Sequence, residues 1–455
     1  MTFLERIRSE KNQQNVVIFT VYISMLLNFF LLTVVVPILP NHLLLLNNET
    51  EYLQASLHRD NESTFDYEDY HEAFASNNIP LAVLMSSKAI AQIPTSVIVS
   101  WITYRIGYDI PLFVGFVIFT ISSLLFAYSE TYNMLLIARS LSGIGCGFGA
   151  TAGLGMLANA FPDYKKRTRA MAIVFSGIAI GTLLGPVLGG ILYRYGGIVL
   201  PFTLLAGVSF FVGLVQLVVL PPKVSKVRPE HTNYWDLLSD PYLMLTATAI
   251  FMNNFSFSAL EPTMPLWMLE VWGSSSVDQG LAFFPSSVSY IIWTYCNKHV
   301  VKFMGQWKCA LLGFVVLGVC LIVLPFSPNL CSLLVVSAFL GMGFGLVGLN
   351  MFPLMGHIAD LRHTQIYGSV YAISDVSCSL AFVSGPIAGG PAVRYLGFTT
   401  MLFFLGMVNF AFAPLMIFLR KLEKTKHKNM LAAWSSAAIV PEIPVISEKT
   451  KNFGN

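Results

Sequence analysis

Twelve apolar runs follow one another along 455 residues, and little else can be built from such a pattern. They fall at roughly 16–39, 79–102, 110–128, 133–159, 168–194, 199–220, 242–268, 279–302, 308–326, 331–357, 365–393 and 398–420. A helix crosses hydrocarbon with about 20 apolar residues. In lipid the backbone must bond to itself, so a run of this kind reads as a helix. The chain is 55% hydrophobic and only 11% charged, with a mean hydropathy of +0.66. A soluble protein of this size needs more charged surface to face water. The expected fold is an all-α membrane protein of twelve transmembrane helices in two six-helix bundles.

Polar stretches divide the chain. A tail, 1–15, precedes the first bundle, 16–220, which carries a polar loop at 40–77. A linker, 221–240, leads to the second bundle, 241–420, and a polar tail fills 421–455. Arg6 and Arg8 before an apolar run resemble a signal peptide, but Val16 to Leu39 is long for one and lacks a small-residue cleavage site, so it reads as the first helix. Lysine and arginine set the orientation. If both tails are cytoplasmic, that side holds Arg105, Lys165, Lys166, Arg167, Arg169, Lys298, Lys302, Lys308, Arg362 and the basic tails. The other side holds only Arg59, Arg194 and Arg394. The acidic loop 40–77 then faces a lumen or the exterior. It carries two glycosylation sequons, at Asn48 and Asn61.

The halves repeat weakly. Gly185-Pro186-Val187-Leu188-Gly189-Gly190 in the fifth run is matched by Gly385-Pro386-Ile387-Ala388-Gly389-Gly390 in the eleventh. Gly143-Ile144-Gly145 in the fourth is matched by Gly341-Met342-Gly343 in the tenth. Two six-helix repeats with both tails on one side form the parallel-repeat plan of secondary transporters. The stretch Gly181, Gly185, Pro186, Gly189 and Gly190 suits a gating helix, since glycine permits close approach and proline a bend. Plain close packing explains it equally.

No phosphate-binding Gly-rich loop, hydrolase motif or metal-ligand spacing occurs, so an ATP-driven pump or an enzyme is not expected, and no cofactor or metal is implied. A net charge of +3 gives no sign of nucleic-acid binding. The six cysteines lie in or at the edges of apolar runs and read as small buried hydrophobes. Intramembrane ionisable groups are few: Lys88, Arg139, Glu261 and Asp375. A charge in hydrocarbon costs about 2.5–3.5 kcal/mol even on the lenient insertion scale, so these groups must face a cavity or each other. Glu261 and Asp375 can anchor an ammonium and exchange protons. Asn254 stands two turns before Glu261 on the same face. Trp267, Phe284 and Tyr290 can supply aromatic walls for a cation, although ordinary packing is the commoner role of an aromatic.

Specific motifs carry a resemblance. Arg139-Ser140-Leu141-Ser142-Gly143-Ile144-Gly145 and the glycines of the fifth run resemble the major facilitator superfamily. Leu31-Leu32-Thr33-Val34-Val35-Val36-Pro37, Ser87-Lys88-Ala89, Leu260-Glu261-Pro262, Pro265-Leu266-Trp267-Met268, Asp360-Leu361-Arg362-His363 and Tyr367 to Val376 resemble the vesicular amine transporters. The likeness runs from about Val16 to Arg420. It implies amine recognition and proton exchange at Glu261 and Asp375. It implies a polar network between helices 2 and 12 for Lys88, a cavity lining of Asn254, Trp267 and Tyr290, and coupling roles for Arg139 and His363. Two family aspartates, in helices 1 and 12, are replaced by Asn28 and Asn409. An amide hydrogen-bonds an amine but neither neutralises it nor titrates near neutral pH.

The function expected is secondary active transport of a small, monoamine-like organic cation by proton antiport, in a secretory or synaptic vesicle membrane. The partners are then the organic cation, protons and the lipid bilayer. The alternatives are a facilitative carrier of another small solute, and a non-transporting receptor or scaffold that keeps the fold.

Overall fold

The structure is a computed structural model that describes residues 10–46, 67–219, 234–272, 274, 276–363 and 367–420. Among these lie twelve long helices. They are α1 (Glu10–Leu46), α2 (Tyr67–Ile106), α3 (Asp109–Ala127), α4 (Tyr132–Ala160), α5 (Tyr164–Gly196) and α6 (Val199–Val219) in the first bundle. The second holds α7 (Pro241–Trp272), α8 (Ser276–Met304), α9 (Gln306–Val323), α10 (Leu330–Arg362), α11 (Tyr367–Leu396) and α12 (Phe398–Phe412). A short helix, Tyr234–Leu238, precedes α7, and tight 3₁₀ turns extend α9 and α12.

Eleven of the twelve are long and apolar enough to cross a membrane. The exception is α8, whose ends carry Asp278 and the polar group Asn297, Lys298, His299 and Lys302. The expected loop at 40–77 is shorter than its polarity suggested. Helix α1 runs on to Leu46 and α2 begins at Tyr67, because a helix can extend into water past the end of its apolar run. Asn48 and Asn61 lie outside the described residues.

Helix ends follow local chemistry. The Thr131 side chain caps α4 by accepting from Met134 N, and Asp163 caps α5 through Lys165 N. Asn329 and Ser332 form a reciprocal capping box on α10. Four glycines with positive φ make sharp exits: Gly107 after α2 and Gly305 after α8, Gly197 after α5 and Gly397 after α11. They occupy matching places in the two bundles.

Packing repeats as well. In the first bundle α1 packs on α5, α2 on α4, and α3 on α4 and α6. In the second, α7 packs on α11, α8 on α10, and α9 on α10 and α12. A Cβ on Gly143 would strike the backbone of Lys88, and one on Gly341 the backbone of Ser286. A Cβ on Gly185 would strike the Thr33 hydroxyl, and one on Gly385 the Ser258 hydroxyl. Between the bundles α2 meets α11 and α5 meets α8, with further contacts of α4 on α11 and α5 on α10.

Candidate functional site: a charged cluster between two bundles

The tail face, where α1 begins and α12 ends, is closed by side chains from both bundles. Arg167 near the start of α5 is fully buried and pairs with both oxygens of Asp360 near the end of α10. Its Nη1 also donates to the Tyr367 hydroxyl at 3.2 Å, and that hydroxyl donates to Asp360. A guanidinium holding a carboxylate through two bonds is a directional clamp. Deeper in, the Tyr371 hydroxyl reaches Met171 Sδ at 3.6 Å, and Phe175 packs against Phe352. Ser100 donates to Ser369 at 3.0 Å. Tyr108 wedges against Gly155 of α4 and Gly368 of α11; burial pushes its hydroxyl up to about 12.

Above this closure sit the intramembrane charges. Lys88 on α2 is buried and donates to Asn28 Oδ1 at 2.7 Å; the Cys146 thiol of α4 donates to the same oxygen at 2.8 Å. The bond of Lys88 therefore goes to helix 1, not to helix 12 as the resemblance implied. Asn409 lies elsewhere. It is fully buried on α12 and donates to Ser256 Oγ of α7 at 3.0 Å and to Leu405 O. Its position joins α12 to α7 inside the second bundle.

Asp375 on α11 is buried against the other bundle. Gln92 Nε2 donates to its two oxygens at 2.9 and 3.0 Å, and Ser96 Oγ donates to Oδ2. Gln92 and Ser96 were not among the sequence-derived site residues. A readable signal existed: Lys88, Gln92 and Ser96 are spaced by four, which puts three polar groups on one face of an apolar helix. In the sequence alone Arg167 reads as one of the cations of the tail side and Asp360 as part of a motif. Their pairing needed three-dimensional contact between α5 and α10.

Arg139 on α4 is fully buried. It donates to Leu31 O at 3.2 Å and reaches Met85 Sδ at 3.7 Å, while its Nε has no partner. Among the described residues neither Arg139 nor Lys88 forms an ion pair. Glu261 on α7 is half-buried, and among the described residues no donor binds its carboxylate. The charges that reach it electrostatically are Arg139 and Lys88, both from the opposite bundle. Glu261 lies inside the apolar span Pro241–Pro265 of α7, where a charge needs a partner or water rather than hydrocarbon.

The remaining expected residues divide. Asn254 is half-buried on α7 and donates to Ile250 O at 2.8 Å and to Cys378 Sγ of α11 at 3.4 Å. The Tyr290 ring, half-buried on α8, borders Gly345 and Gly348 of α10. Trp267 is buried and stacks on Phe398 at 4.9 Å, with Trp272 edge-on, so its ring packs α7 on α12. Phe284 is exposed. His363 contacts Asp240 at 3.0 Å beside Arg362, which pairs with the same carboxylate at 2.7 Å. This ties the end of α10 to the start of α7 at the tail face. In the gating stretch, Gly181, Gly185 and Gly189 fit against Leu26, Phe30, Thr33 and Val34 of α1, whereas nothing stands within 4 Å of a Cβ on Gly190. Pro186 lies within α5.

Two parallel six-helix bundles with a charged cluster between them define a class of secondary transporter. The chain belongs to the Major Facilitator Superfamily, whose family model matches residues 19–377. Within that superfamily it is a member of the vesicular amine transporter family. It is 36% identical over 462 residues to the synaptic vesicular amine transporter of Homo sapiens, covering 91% of this chain and 90% of that one. It is 32% identical over 426 residues to the vesicular acetylcholine transporter of Tetronarce californica, covering 91% and 83%. Among solved structures, the human organic anion transporter MFSD10 (TETRAN) superposes with a TM-score of 0.69 at 16% identity, covering 88% of this chain and 99% of that one, a likeness of fold.

Proposed function

We propose that this protein is a secondary transporter of a small organic cation, working by alternating access and proton antiport in a secretory or synaptic vesicle membrane. The observation that carries this reading is the Glu261 carboxylate: half-buried, within the apolar span of α7 and without a bound donor among the described residues. An ammonium placed there gains a counter-charge in a low-dielectric setting, where it counts most. Asp375 already holds three hydrogen bonds from α2, so its role is to join the bundles as well as to carry charge. The two relatives are named as amine and acetylcholine transporters, and the cation reading extends that chemistry to this chain.

The lysine and arginine distribution makes the tail face cytoplasmic. The clamp of Arg167, Asp360 and Tyr367 then seals the cytosolic entrance in this conformation. Rocking of 16–220 against 241–420 would release it and open the other side in turn. The glycines of α5 on α1, and of α11 on α7, give each bundle a close-packed pair that can move as a unit. Binding of a proton by an intramembrane carboxylate in the lumen-facing state would release the cation, and loss of the proton to the cytosol would reset the anchor.

The test is uptake of labelled amines into acidified vesicles bearing the protein, with and without a proton ionophore. Ionophore-sensitive accumulation that disappears in Glu261→Gln is the expected result. Uptake unchanged by Glu261→Gln would remove the cation anchor. A second reading, a facilitative carrier, is favoured by Asn28 and Asn409, which stand where the family resemblance places acids. It predicts equilibration without accumulation, indifferent to the pH gradient.

A further inference from the structure

The glycines of α10 differ in what they face. A Cβ on Gly341 would strike the backbone of α8 and one on Gly343 the Leu317 side chain of α9, so close packing accounts for both. Gly348 is also buried, yet a Cβ there would meet just two atoms within 4 Å, both polar: the Tyr290 hydroxyl of α8 at 3.5 Å and Asn253 Nδ2 of α7 at 3.8 Å. Those are ordinary contact distances, so packing does not demand a glycine at this place. The fold uses neither polar group. Asn253 is 8% exposed, and its Oδ1 has no partner. Among the described residues Tyr290 is bonded through its backbone carbonyl, which accepts from Thr294 Oγ1 at 3.0 Å, while its hydroxyl has no partner. A buried amide left unsatisfied costs the folded state, so an apolar residue of similar size would serve packing better at Asn253. The polar surface continues toward the other bundle. Asn254, next in α7, donates to Cys378 at 3.4 Å, and Cys378 stands one turn after Asp375, which binds α2. The Tyr290 hydroxyl lies within electrostatic reach of the same thiol.

Resting on the cation-transport reading above, we propose that the space at Gly348 is a subsite for an uncharged oxygen of the substrate, hydroxyl or carbonyl, held by Asn253 and Tyr290. Asn253 is the specificity-determining residue: its amide donates to that oxygen, and the Tyr290 hydroxyl supplies a second bond. Gly348 keeps the space open. The carboxylate that anchors the ammonium is a separate element, and the subsite reads the neutral part of the same molecule. Glu261 follows Asn253 by eight residues, a rise of about 12 Å along α7, which one small molecule spans when a side chain reaches toward it from each end.

The experiment offers labelled amines in pairs, without and with an uncharged oxygen at the far end: phenethylamine and tyramine, tryptamine and serotonin, choline and acetylcholine. Vesicles bear the full chain, unaltered or as Gly348→Ala or Asn253→Leu, each checked for abundance and for its melting temperature in detergent. The expected result is a preference for the oxygen-bearing member of at least one pair by about tenfold, the worth of one or two hydrogen bonds, falling to about threefold or less in both variants. A preference in the first two pairs assigns the subsite to a hydroxyl, and one in the third to a carbonyl. Melting temperatures should stay level or rise, since Gly348→Ala adds a methyl to open space in a helix and Asn253→Leu removes an unsatisfied amide. Should one variant fold poorly, the other decides, because the two alter different helices. A preference that survives in both variants would overturn the subsite and leave cation transport standing. So would equal loss of both members of every pair, which marks a structural role, and so would the absence of any preference in the unaltered protein. Movement of no amine at all would overturn the transport reading itself, and the subsite with it.

Discussion

Helix α4 sits on the backbone of Lys88 through Gly143; in the other bundle α10 sits on the backbone of Ser286 through Gly341. One turn before these glycines stand Arg139 and Ser337. Ten residues before the Gly-Pro pairs of α5 and α11 stand Phe175 and Asp375. The scaffold is shared, but the charge is divided: matching places hold bases against serines, and an aromatic against an acid. The first bundle carries the intramembrane cations and the second the intramembrane anions. Attraction across the interface then tends to hold the bundles together, and what enters between them must compete for the same charges. A repeat therefore fixes the packing while its departures from symmetry fix the chemistry.

The largest test of this division is at the tail face. Arg167→Ala leaves Asp360 without its charged partner in a part-buried site, a change worth about 3–5 kcal/mol when one member of a buried pair is lost. It should loosen the closed face. A cysteine replacing Phe352, behind the clamp, should then label faster with an impermeant thiol reagent added from the tail side. The double exchange Arg167→Asp with Asp360→Arg should recover part of the protection, since it restores opposite charges. Equal labelling in all three proteins would mean that the clamp does not close this face.

Next in size is Asp375→Asn. The carboxylate accepts three hydrogen bonds, and bonds to a charged group are worth about 1.5–3 kcal/mol each. Losing about 3 kcal/mol of them corresponds to about a hundredfold. Accumulation of a transported substrate should fall by about that factor. The paired change of Gln92→Leu with Asp375→Asn should cost little more than Asp375→Asn alone, because the two residues act on one contact. Additive losses would separate Gln92 from Asp375 and undo the cross-bundle link.

Much of this was legible in the sequence, for reasons that differ by residue. Helix number came from apolar length, and α8, the long helix that among the described residues is not apolar enough to count as a span, carries polar groups at both ends. The α5 and α11 glycines announced themselves because close helix contact demands small residues in a fixed spacing. The four intramembrane charges stood out because hydrocarbon makes charge rare. What sequence could not give was pairing. Arg167 looked like any loop cation until α5 and α10 met. Asn28 and Asn409 looked equivalent as amides for acids, yet one holds Lys88 and the other binds α12 to α7. Trp267 resembled a cavity aromatic, but burial alone cannot tell a wall from a stack, and Phe398 decided it. The polar face of Lys88, Gln92 and Ser96 was readable from its four-residue spacing.

The smallest effects test the shared scaffold rather than the divided charge. Gly143→Ala and Gly341→Ala each drive a methyl into the backbone of a facing helix, where nothing flexible can yield. Overpacking of this kind costs about 1–3 kcal/mol. The two should lower the melting temperature by similar amounts, although one sits beside a lysine and the other beside a serine. Gly190→Ala and Gly390→Ala, also a matching pair, meet nothing within 4 Å and should change stability by no more than about 0.5 kcal/mol in the unfavourable direction. If Gly143→Ala destabilised strongly and Gly341→Ala did not, the contact at Lys88 would belong to the charged cluster rather than to the repeat, and packing and chemistry would no longer separate by symmetry.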